Sequence, residues 1–434
     1  MQKILVLCPT QREYRDLPAL ARALGCELVF DEFCGDYFDR LLARPPAKIA
    51  PLDILALIEQ TIERYRGANL SGVTSGVGYP GMSVCSIIAS RLGLPGPSPA
   101  SVMCCEHKYY SRLAQRALVP DAVPEFALLD CRRLDATAAR ISTFPVFLKP
   151  VKSCMSINAH RIQDRRSLRK IARTALLPEA FIQPFNDMLK AHTSYPLDAS
   201  YVIVESLLEG MQVSLEGYVY DGQVHVLGIL DAITFSNHIS FKRFQYPSRL
   251  ADGVQERMRE LARCLMRGIG YDNAPFNIEL FYDPVADRIS IIEVNPKIAS
   301  QFADLFLKVD GRSSFSMLLQ LACGIQPTTA HRQGNFKLAA SCVLRTFEDR
   351  HVLAVPTQAA IADIVATYPD ALIEIHATAG ADLSNQMQDA QSFRYGLVNI
   401  GADSEHELEE KFAAIAERLD FHLVPVRAAA SIGG

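Results

Sequence analysis

Residues 277–297, NIELFYDPVADRISIIEVNPK, are two short apolar runs around a turn-rich loop, and each run contains one acid, Glu279 or Glu293. Such runs predict a β-hairpin whose strands enter a core. If the loop between them holds an odd number of residues, the two acids lie opposite each other, with Asn295 two residues further on the same face. Close carboxylates in apolar surroundings are costly unless a cation separates them. The hairpin therefore predicts a cation site, suited to Mg²⁺ because Mg²⁺ prefers carboxylate, amide and phosphate oxygens. The alternative is an edge hairpin whose acids face solvent or pair with lysines.

Composition limits the class of protein. The 434 residues provide for roughly two to four domains. A net charge of −4 gives no bias toward nucleic acid or an anionic membrane. No apolar run approaches the roughly 18 residues of a membrane helix, and the apolar start is too short for a signal peptide. The eleven cysteines form no CxxC pair, which favours a reducing, cytoplasmic setting over a disulfide framework.

The first hundred residues have the pattern of a small α/β domain. Residues 3–9, KILVLCP, predict a buried parallel strand, and Thr10 with Glu13 forms a capping box for a helix that Gly25 ends. The turn between strand and helix has no glycine cluster, so a dinucleotide-binding fingerprint is absent. A helix is expected around 54–65, and residues 94–101 read as a linker. These features predict a domain over 1–102.

The central part alternates between helices and strands. Helices are expected over 105–118, over 167–177 and from about 254 to the stop at Gly268 and Gly270. A strand is expected over 144–150, and residues 201–230 predict a strand, a crossing and a hairpin that turns at 221–222. This region predicts a second domain over 103–330. Residues 331–434, with a strand at 337–347 and a helix capped by Ser404 and Glu407, predict an α+β cap instead of a free domain.

The hairpin resembles the metal-binding hairpin of the ATP-grasp superfamily, in which a strand glutamate is followed by an E-x-N-P-R element. The order of the other segments is similar to the branch that contains biotin carboxylase and the ATP-dependent amino-acid ligases. The resemblance implies an α/β and α+β multidomain protein: an N-terminal pre-ATP-grasp, Rossmann-like domain, an ATP-grasp domain with a lid at about 140–206, and the C-terminal cap.

The resemblance also implies roles for particular residues. Glu279, Glu293 and Asn295 are the expected metal ligands, and Lys108 and Lys149 are the expected cations for the nucleotide phosphates. The remaining nucleotide-binding residues follow from VESLLEG: Glu205, Leu207 and Leu208 are expected around adenine, and Gln212 stands where many relatives have a glutamate for the ribose.

Two departures from the family pattern concern the phosphates and the acyl group. The flap after Lys149 is VKSCMSIN, without glycine, so the hydroxyls of Ser153 and Ser156, with Lys152 and the backbone, are expected to replace it. Lys297 stands where the family has arginine, and lysine is a point charge instead of a bidentate fork.

The implied reaction activates a carboxylate with ATP as an acyl phosphate, which an amine then displaces to give ADP and phosphate. It implies two Mg²⁺ ions, with Mn²⁺ as an alternative, small carboxylate and amine substrates, no nucleic-acid or membrane partner, and a homodimer as in many relatives. Lys297 is the expected catalytic cation for the acyl group.

Residues for substrate recognition are less constrained by the sequence. Residues 240–250 predict a basic loop, in which Arg243 is the candidate for a substrate carboxylate or phosphate, although a solvated loop is the simpler alternative. Ser300 and Gln301 are candidates for the acceptor pocket, and Glu216 is expected either at the phosphates or exposed on its strand. Cys154 and His160 are interpreted as ordinary structural residues.

Three other functions are compatible with the sequence. An ATP-grasp kinase stops after phosphoryl transfer to a small metabolite. A non-catalytic nucleotide-binding protein keeps the fold alone. A component of a biotin-dependent carboxylase needs a biotin site, and the chain has no biotin-carrier motif.

Overall fold

The structure is a computed structural model that describes residues 1–43, 48–237, 239–385 and 392–426. The strands, numbered in chain order, are β1 Gln2–Leu7, β2 Cys26–Asp31, β3 Gly72–Thr74, β4 Phe126–Asp130, β5 Val146–Pro150, β6 His160–Ile162, β7 Tyr201–Ser206, β8 Met211–Tyr220, β9 Gln223–Thr234, β10 Phe241–Tyr246, β11 Ala274–Asp283, β12 Arg288–Asn295, β13 Leu338–Thr346, β14 Arg350–Ala354, β15 Leu372–Ile375, β16 Phe393–Ala402 and β17 His422–Pro425. The helices are α1 Gln11–Leu24, α2 Tyr37–Leu42, α3 Ile54–Tyr65, α4 Ser83–Leu92, α5 Pro99–Glu106, α6 Lys108–Leu118, α7 Leu134–Ala138, α8 Arg165–Ala172, α9 Glu179–His192, α10 Asp252–Ile269, α11 Ala303–Asp310, α12 Ser314–Ala322, α13 Gln358–Thr367 and α14 Glu405–Arg418.

The N-terminal part is a parallel sheet of order β2-β1-β3 with helices packed on it. The apolar run of β1 is buried at Ile4–Leu7, as a strand covered on both faces requires. The predicted capping box of α1 is present, and Gly25 ends the helix in the left-handed conformation, with φ 69°. The sequence prediction for this strand and helix is confirmed.

The expected linker at 94–101 is partly helical, which corrects the prediction. Helix α5 begins at Pro99, after Ser98 caps it, and proline is tolerated in the first turn. The prediction of one continuous helix over 105–118 was also wrong, because His107 interrupts the helix and caps α6. Two helices therefore carry this region instead of one.

The middle of the chain forms an antiparallel sheet of order β4-β7-β5-β6. The helix expected over 167–177 spans Arg165–Ala172 instead, where Asp164 caps it. Strands β5, β6 and β7 of this sheet lie within the expected lid region, whereas β4 precedes it. The predicted boundaries at 102, 140, 206 and 330 stay a prediction.

An eight-stranded sheet of order β12-β11-β8-β9-β10-β13-β16-β15 forms the largest layer. Its last three strands come from the C-terminal region, so the predicted cap extends the central sheet. Gly270 ends α10, whereas Gly268 lies inside the helix, where an added Cβ would lie 2.4 Å from Leu118 Cδ2. No helix among the described residues combines the length and apolar character that crossing a membrane requires.

Candidate nucleotide and metal site

The two acids of the hairpin lie opposite each other, as predicted. Glu279 pairs with Glu293 in the register of β11 and β12, and Asn277 pairs with Asn295. Strand β8 continues the same face, because Ser214 is opposite Glu279. Alternation along paired strands thus collects these polar side chains on one face of the sheet.

The two carboxyls differ in protonation. Burial and the nearby charge of Glu293 raise the pKa of Glu279 to about 7. Burial also opposes ionisation of Glu293, but Lys108 and Lys149 outweigh it and lower the pKa of Glu293 to about 2. Lys108 Nζ lies 3.1 Å from Glu293 Oε2. A positive charge already accompanies one acid, and the other has none within ion-pair distance among the described residues.

A buried charge cluster holds Lys149. Its Nζ lies 2.9 Å from Glu205 Oε2, and Arg112 binds both oxygens of Glu205 at 2.6 and 3.2 Å. Arg112 also donates to the carbonyl of Ile292, 2.8 Å away, which ties the cluster to β12. Burial disfavours the Glu205 carboxylate, yet the two cations lower its pKa to about 2. The side chain of Glu205 is thus committed to this ion pair. Its backbone lies in β7 between β4 and β5, opposite Phe126 and Phe147, so the expected adenine contact of Glu205 stays a prediction.

Gln212 and Asn295 both contact Glu279. Asn295 Nδ2 donates to Asn277 Oδ1 at 3.0 Å and to Glu279 Oε1 at 3.4 Å. Gln212 Nε2 donates to Glu279 Oε2 at 3.2 Å, so its side chain lies at the acids, and its expected ribose contact stays a prediction. With its amide nitrogen used, Asn295 has its oxygen left as a cation ligand.

The donor set fits Mg²⁺ better than a softer metal. Among the described residues no group of three or more His, Cys, Asp or Glu side chains converges on one point. Two carboxylates and an amide oxygen remain, and these suit a hard cation that completes its shell with water and phosphate oxygens. Glu279, Glu293 and Asn295 would hold it.

Glu216 is buried, so the expectation of an exposed strand acid is wrong. It is 1 % exposed, accepts from Asn277 Nδ2 at 2.5 Å and from the backbone N–H of Ala299 at 3.2 Å. Burial raises its pKa to about 7. Through its hydrogen bond from Ala299, Glu216 therefore connects the segment after Lys297 to β8.

The glycine-free flap uses left-handed conformations at non-glycine residues. Met155, Ser156 and Asn158 have φ of 48°, 57° and 58°. The Ser153 hydroxyl donates to the carbonyl of Ile157 at 2.7 Å, inside the loop. The expected phosphate contacts of Ser153 and Ser156 stay a prediction.

Lys152 belongs to the flap, but its ammonium is buried against residues outside the flap. Its ammonium pairs with Glu106 and lies 4.2 Å from the ring centroid of Tyr79 and 4.6 Å from that of Phe185. Burial of the neighbouring Cys154 raises the pKa of its thiol, which agrees with an unreactive cysteine.

Lys297 lies against the N-terminal domain. A Cβ added at Gly78 would be 3.2 Å from Lys297 Cδ and 3.3 Å from Glu106 Oε1. The backbone at Gly78 therefore packs directly against the side chain of Lys297. Ser300 Oγ accepts from Arg12 at 3.3 Å, and Gln301 Nε2 donates to Ser341 Oγ at 2.9 Å.

The structure does not bring Arg243 to the site, which corrects the prediction. The predicted loop over 240–250 is wrong for residues 241–246, which form β10 and include Arg243. The register from Glu279 across β8 and β9 places Phe244 on the face of the acids. Arg243 therefore points to the other face, where its guanidinium lies 2.9 Å from Glu409 of α14.

The other polar residues of this segment are also committed elsewhere. Lys242 lies 3.9 Å from Glu409, Arg249 lies 3.0 Å from Asp231, and the Tyr246 hydroxyl donates to Asp310 at 2.7 Å. The basic segment is part of the packing between the sheet and its helices.

Sequence reasoning missed the roles of Arg112, Glu106 and Asn277. Arg112 lies one turn after Lys108 on the same helix, a spacing that brings both side chains to one face. Asn277 precedes Glu279 by two residues, so strand alternation alone was sufficient to find it. Glu106 gave no local signal, because its partner Lys152 is 46 residues away.

Comparison with known proteins agrees with this geometry. Residues 142–305 match a family model described as an ATP-grasp domain. The structure resembles the L-amino acid ligase of Bacillus licheniformis, with a TM-score of 0.70, 15% identity and coverage of 98% of this chain and 99% of the ligase. It also resembles biotin carboxylase of Campylobacter jejuni, with a TM-score of 0.65, 14% identity and coverage of 98% and 93%. Residues 142–305 therefore match the ATP-grasp domain family, and the chain has the ATP-grasp fold.

The branch expected from the hairpin is confirmed at the level of the fold, since these neighbours include a biotin carboxylase and an amino-acid ligase. In sequence, 201 residues are 24% identical to the carbamoyl phosphate synthase large chain of Streptomyces griseus. That alignment covers 45% of this chain and only 16% of the synthase.

Proposed function

We propose that the protein is an ATP-dependent ligase that joins a carboxylate to an amine, with an amino acid or another small metabolite as substrate. The observation that supports this proposal most is the opposed pair Glu279 and Glu293. Asn295 and the cations Lys108 and Lys149 lie beside this pair. Phosphoryl transfer depends mainly on positioning and neutralisation of charge, and this arrangement offers both without a covalent nucleophile.

The proposed reaction has two steps. A carboxylate oxygen of the substrate attacks the γ-phosphorus of ATP, and the bond from that phosphorus to ADP breaks. The amine then attacks the acyl carbon, loses a proton, and phosphate leaves. Lys149 and Lys108 neutralise the phosphates, and Lys297 holds the negative charge of the acyl oxygen.

We propose different roles for the metal ion and for the residues that contact the nucleotide. Mg²⁺, when bound, offsets phosphate charge that two lysines alone leave uncompensated. Two ions, or Mn²⁺ in their place, remain part of the proposal. The backbone around Leu207 and Leu208 is the proposed adenine support, with the flap over the phosphates. A homodimer also stays a prediction.

The test is product analysis with purified protein, MgATP and pooled carboxylates and amines. We expect ADP and free phosphate only when an acid and an amine are both present. Glu293→Gln should lower the rate at least about 100-fold, because it replaces a charged carboxylate ligand by a neutral amide, and chelation of the metal should do the same. Glu260→Gln, an exposed acid on α10, is the matched control.

A kinase is the second candidate, because Lys297 replaces the arginine expected for an acyl oxyanion. ADP formation that needs one acceptor and yields no free phosphate would establish it and overturn the ligase. Binding of MgATP without turnover of any pool would instead favour the non-catalytic alternative.

A further inference from the structure

A cavity of about 340 Å³ lies apart from the nucleotide and metal site. It is bounded by β9 at Val224–Leu227, by the end of α11, by the start of α12 and by residues 328–331. It shares no lining residue with the site described above, and its volume is in the range of small-molecule pockets.

One cation of this cavity has no carboxylate partner. Arg312 donates to the hydroxyl of Thr328 at 2.8 Å, and no carboxylate of the described residues lies within ion-pair distance of it. Asp310, the acid in the wall, already accepts from the Tyr246 hydroxyl at 2.7 Å and from the backbone N–H of Arg332 at 2.8 Å. Arg312 is exposed, so water solvates its charge in the free protein and a ligand anion can replace that water.

The start of α12 adds donors to the same wall. Ser313 caps the nine-residue helix, and Ser314, its first residue, is 3 % exposed and lines the cavity. The Ser314 hydroxyl has no hydrogen-bond partner among the described residues. A buried hydroxyl without a partner is unfavourable, and a helix N-terminus favours an anion.

Apolar side chains also line the cavity. Val224, Val226, Phe306 and Met317 are among them. A ligand that uses both kinds of lining carries an oxyanion and an apolar body.

We propose that this cavity is a second ligand site, which binds a small organic oxyanion with an apolar body, either a carboxylate or a phosphate ester. The oxyanion lies between Arg312 and the start of α12, and the apolar body contacts Phe306 and Met317.

The test uses NMR of the full chain with labelled methionine methyl groups. Met317 lines the cavity and Met155 lies in the flap, so their signals, assigned with Met317→Leu and Met155→Leu, report the two sites separately. Phenyl phosphate and benzoate are the anionic probes, which distinguish phosphate from carboxylate, and phenol is the neutral probe.

We expect a saturable shift of Met317 with at least one anion, and affinity for phenol lower by about tenfold or more. Arg312→Gln should weaken binding by about tenfold or more, whereas Arg312→Lys retains it and Arg267→Gln, an exposed arginine of α10 outside the cavity, leaves it unchanged. No shift of Met317 up to about 10 mM anion, equal binding of phenol, a shift of Met155 alone, or an unchanged affinity in Arg312→Gln would each overturn the proposal.

Discussion

At the residue scale, the lysines of the site are held by acids that lie far away in the chain. Lys108 pairs with Glu293, Lys149 with Glu205, and Lys152 with Glu106. Such pairs offset the cost of burying each charge, so removal of one partner is more disruptive than removal of an exposed charge.

Arg112→Met should lower the free energy of unfolding by about 3–5 kcal/mol, because it leaves Glu205 buried with a single cation. Urea denaturation measures the change. Arg116→Met, an exposed residue of the same helix over the ring of Phe126, should cost about 1 kcal/mol or less. Equal losses in the two variants would contradict a special role for the buried cluster.

Gly78→Ala should reduce turnover by about tenfold, since a misplaced catalytic group is costly and the new methyl group would press on Lys297 and Glu106 at 3.2 and 3.3 Å. Stability should change little, because the position needs no left-handed backbone. Steady-state rates and melting temperatures are compared with those of Gly67→Ala, where nothing lies within 4 Å of the added Cβ. An unchanged rate would mean that the position of Lys297 does not depend on its contact with Gly78.

At the element scale, the break between α5 and α6 depends on a neutral histidine. His107 caps α6 by accepting from the N–H of Tyr110, and its Nε2 lies 3.0 Å from the carbonyl of Asp198. The ring can serve both groups only when Nε2 carries the single proton. Burial lowers the pKa of His107 from 6.5 to about 4.

The pH dependence of stability follows from this shift. The unfolded chain binds the proton below about pH 6.5, while the folded chain resists it down to about pH 4. The free energy of unfolding should therefore fall by up to about 3 kcal/mol as the pH is lowered through this window. His107→Asn keeps a capping side chain and should flatten this slope in denaturation at several pH values. His422→Asn, at an exposed position, should keep the slope of the parent chain.

At the scale of the whole molecule, the N-terminal domain and the C-terminal cap are tied directly. Arg12 at the start of α1 donates to both oxygens of Glu374 on β15, at 2.9 and 2.6 Å, and Arg15 adds a contact at 3.1 Å. Arg12 also reaches Ser300, so this tie borders the segment that follows Lys297.

Glu374→Gln should weaken this contact and lower the free energy of unfolding at pH 7 by about 1–3 kcal/mol. The melting temperature should fall accordingly. Burial opposes the ionised form of Glu374, but His376 and Arg12 hold its pKa well below the usual 4.5. Its contribution is complete above pH 4.5 and is lost as the pH falls below that value. The difference in melting temperature from the parent chain should thus narrow in acid, and a constant difference would contradict the ionic origin.

Sequence patterns alone were sufficient for the hairpin, the capping box of α1 and the polar face of β11 and β12. These features depend on residues two to four positions apart, where backbone geometry determines which side chains share a face. The opposition of Glu279 and Glu293 needed one thing more, the register of the hairpin, which has a bulge after Glu279 and which the sequence left conditional on the length of the loop.

Only the tertiary structure decided the partners that lie far away in the chain. Arg243 was assigned to a substrate loop, but its face is set by the register across β8, β9 and β10, which its own segment does not encode. The pairing of Lys152 with Glu106 and of Lys149 with Glu205 depends likewise on which elements pack together. The local pattern specifies which residues face the core, and the order of strands and helices decides which charges meet there.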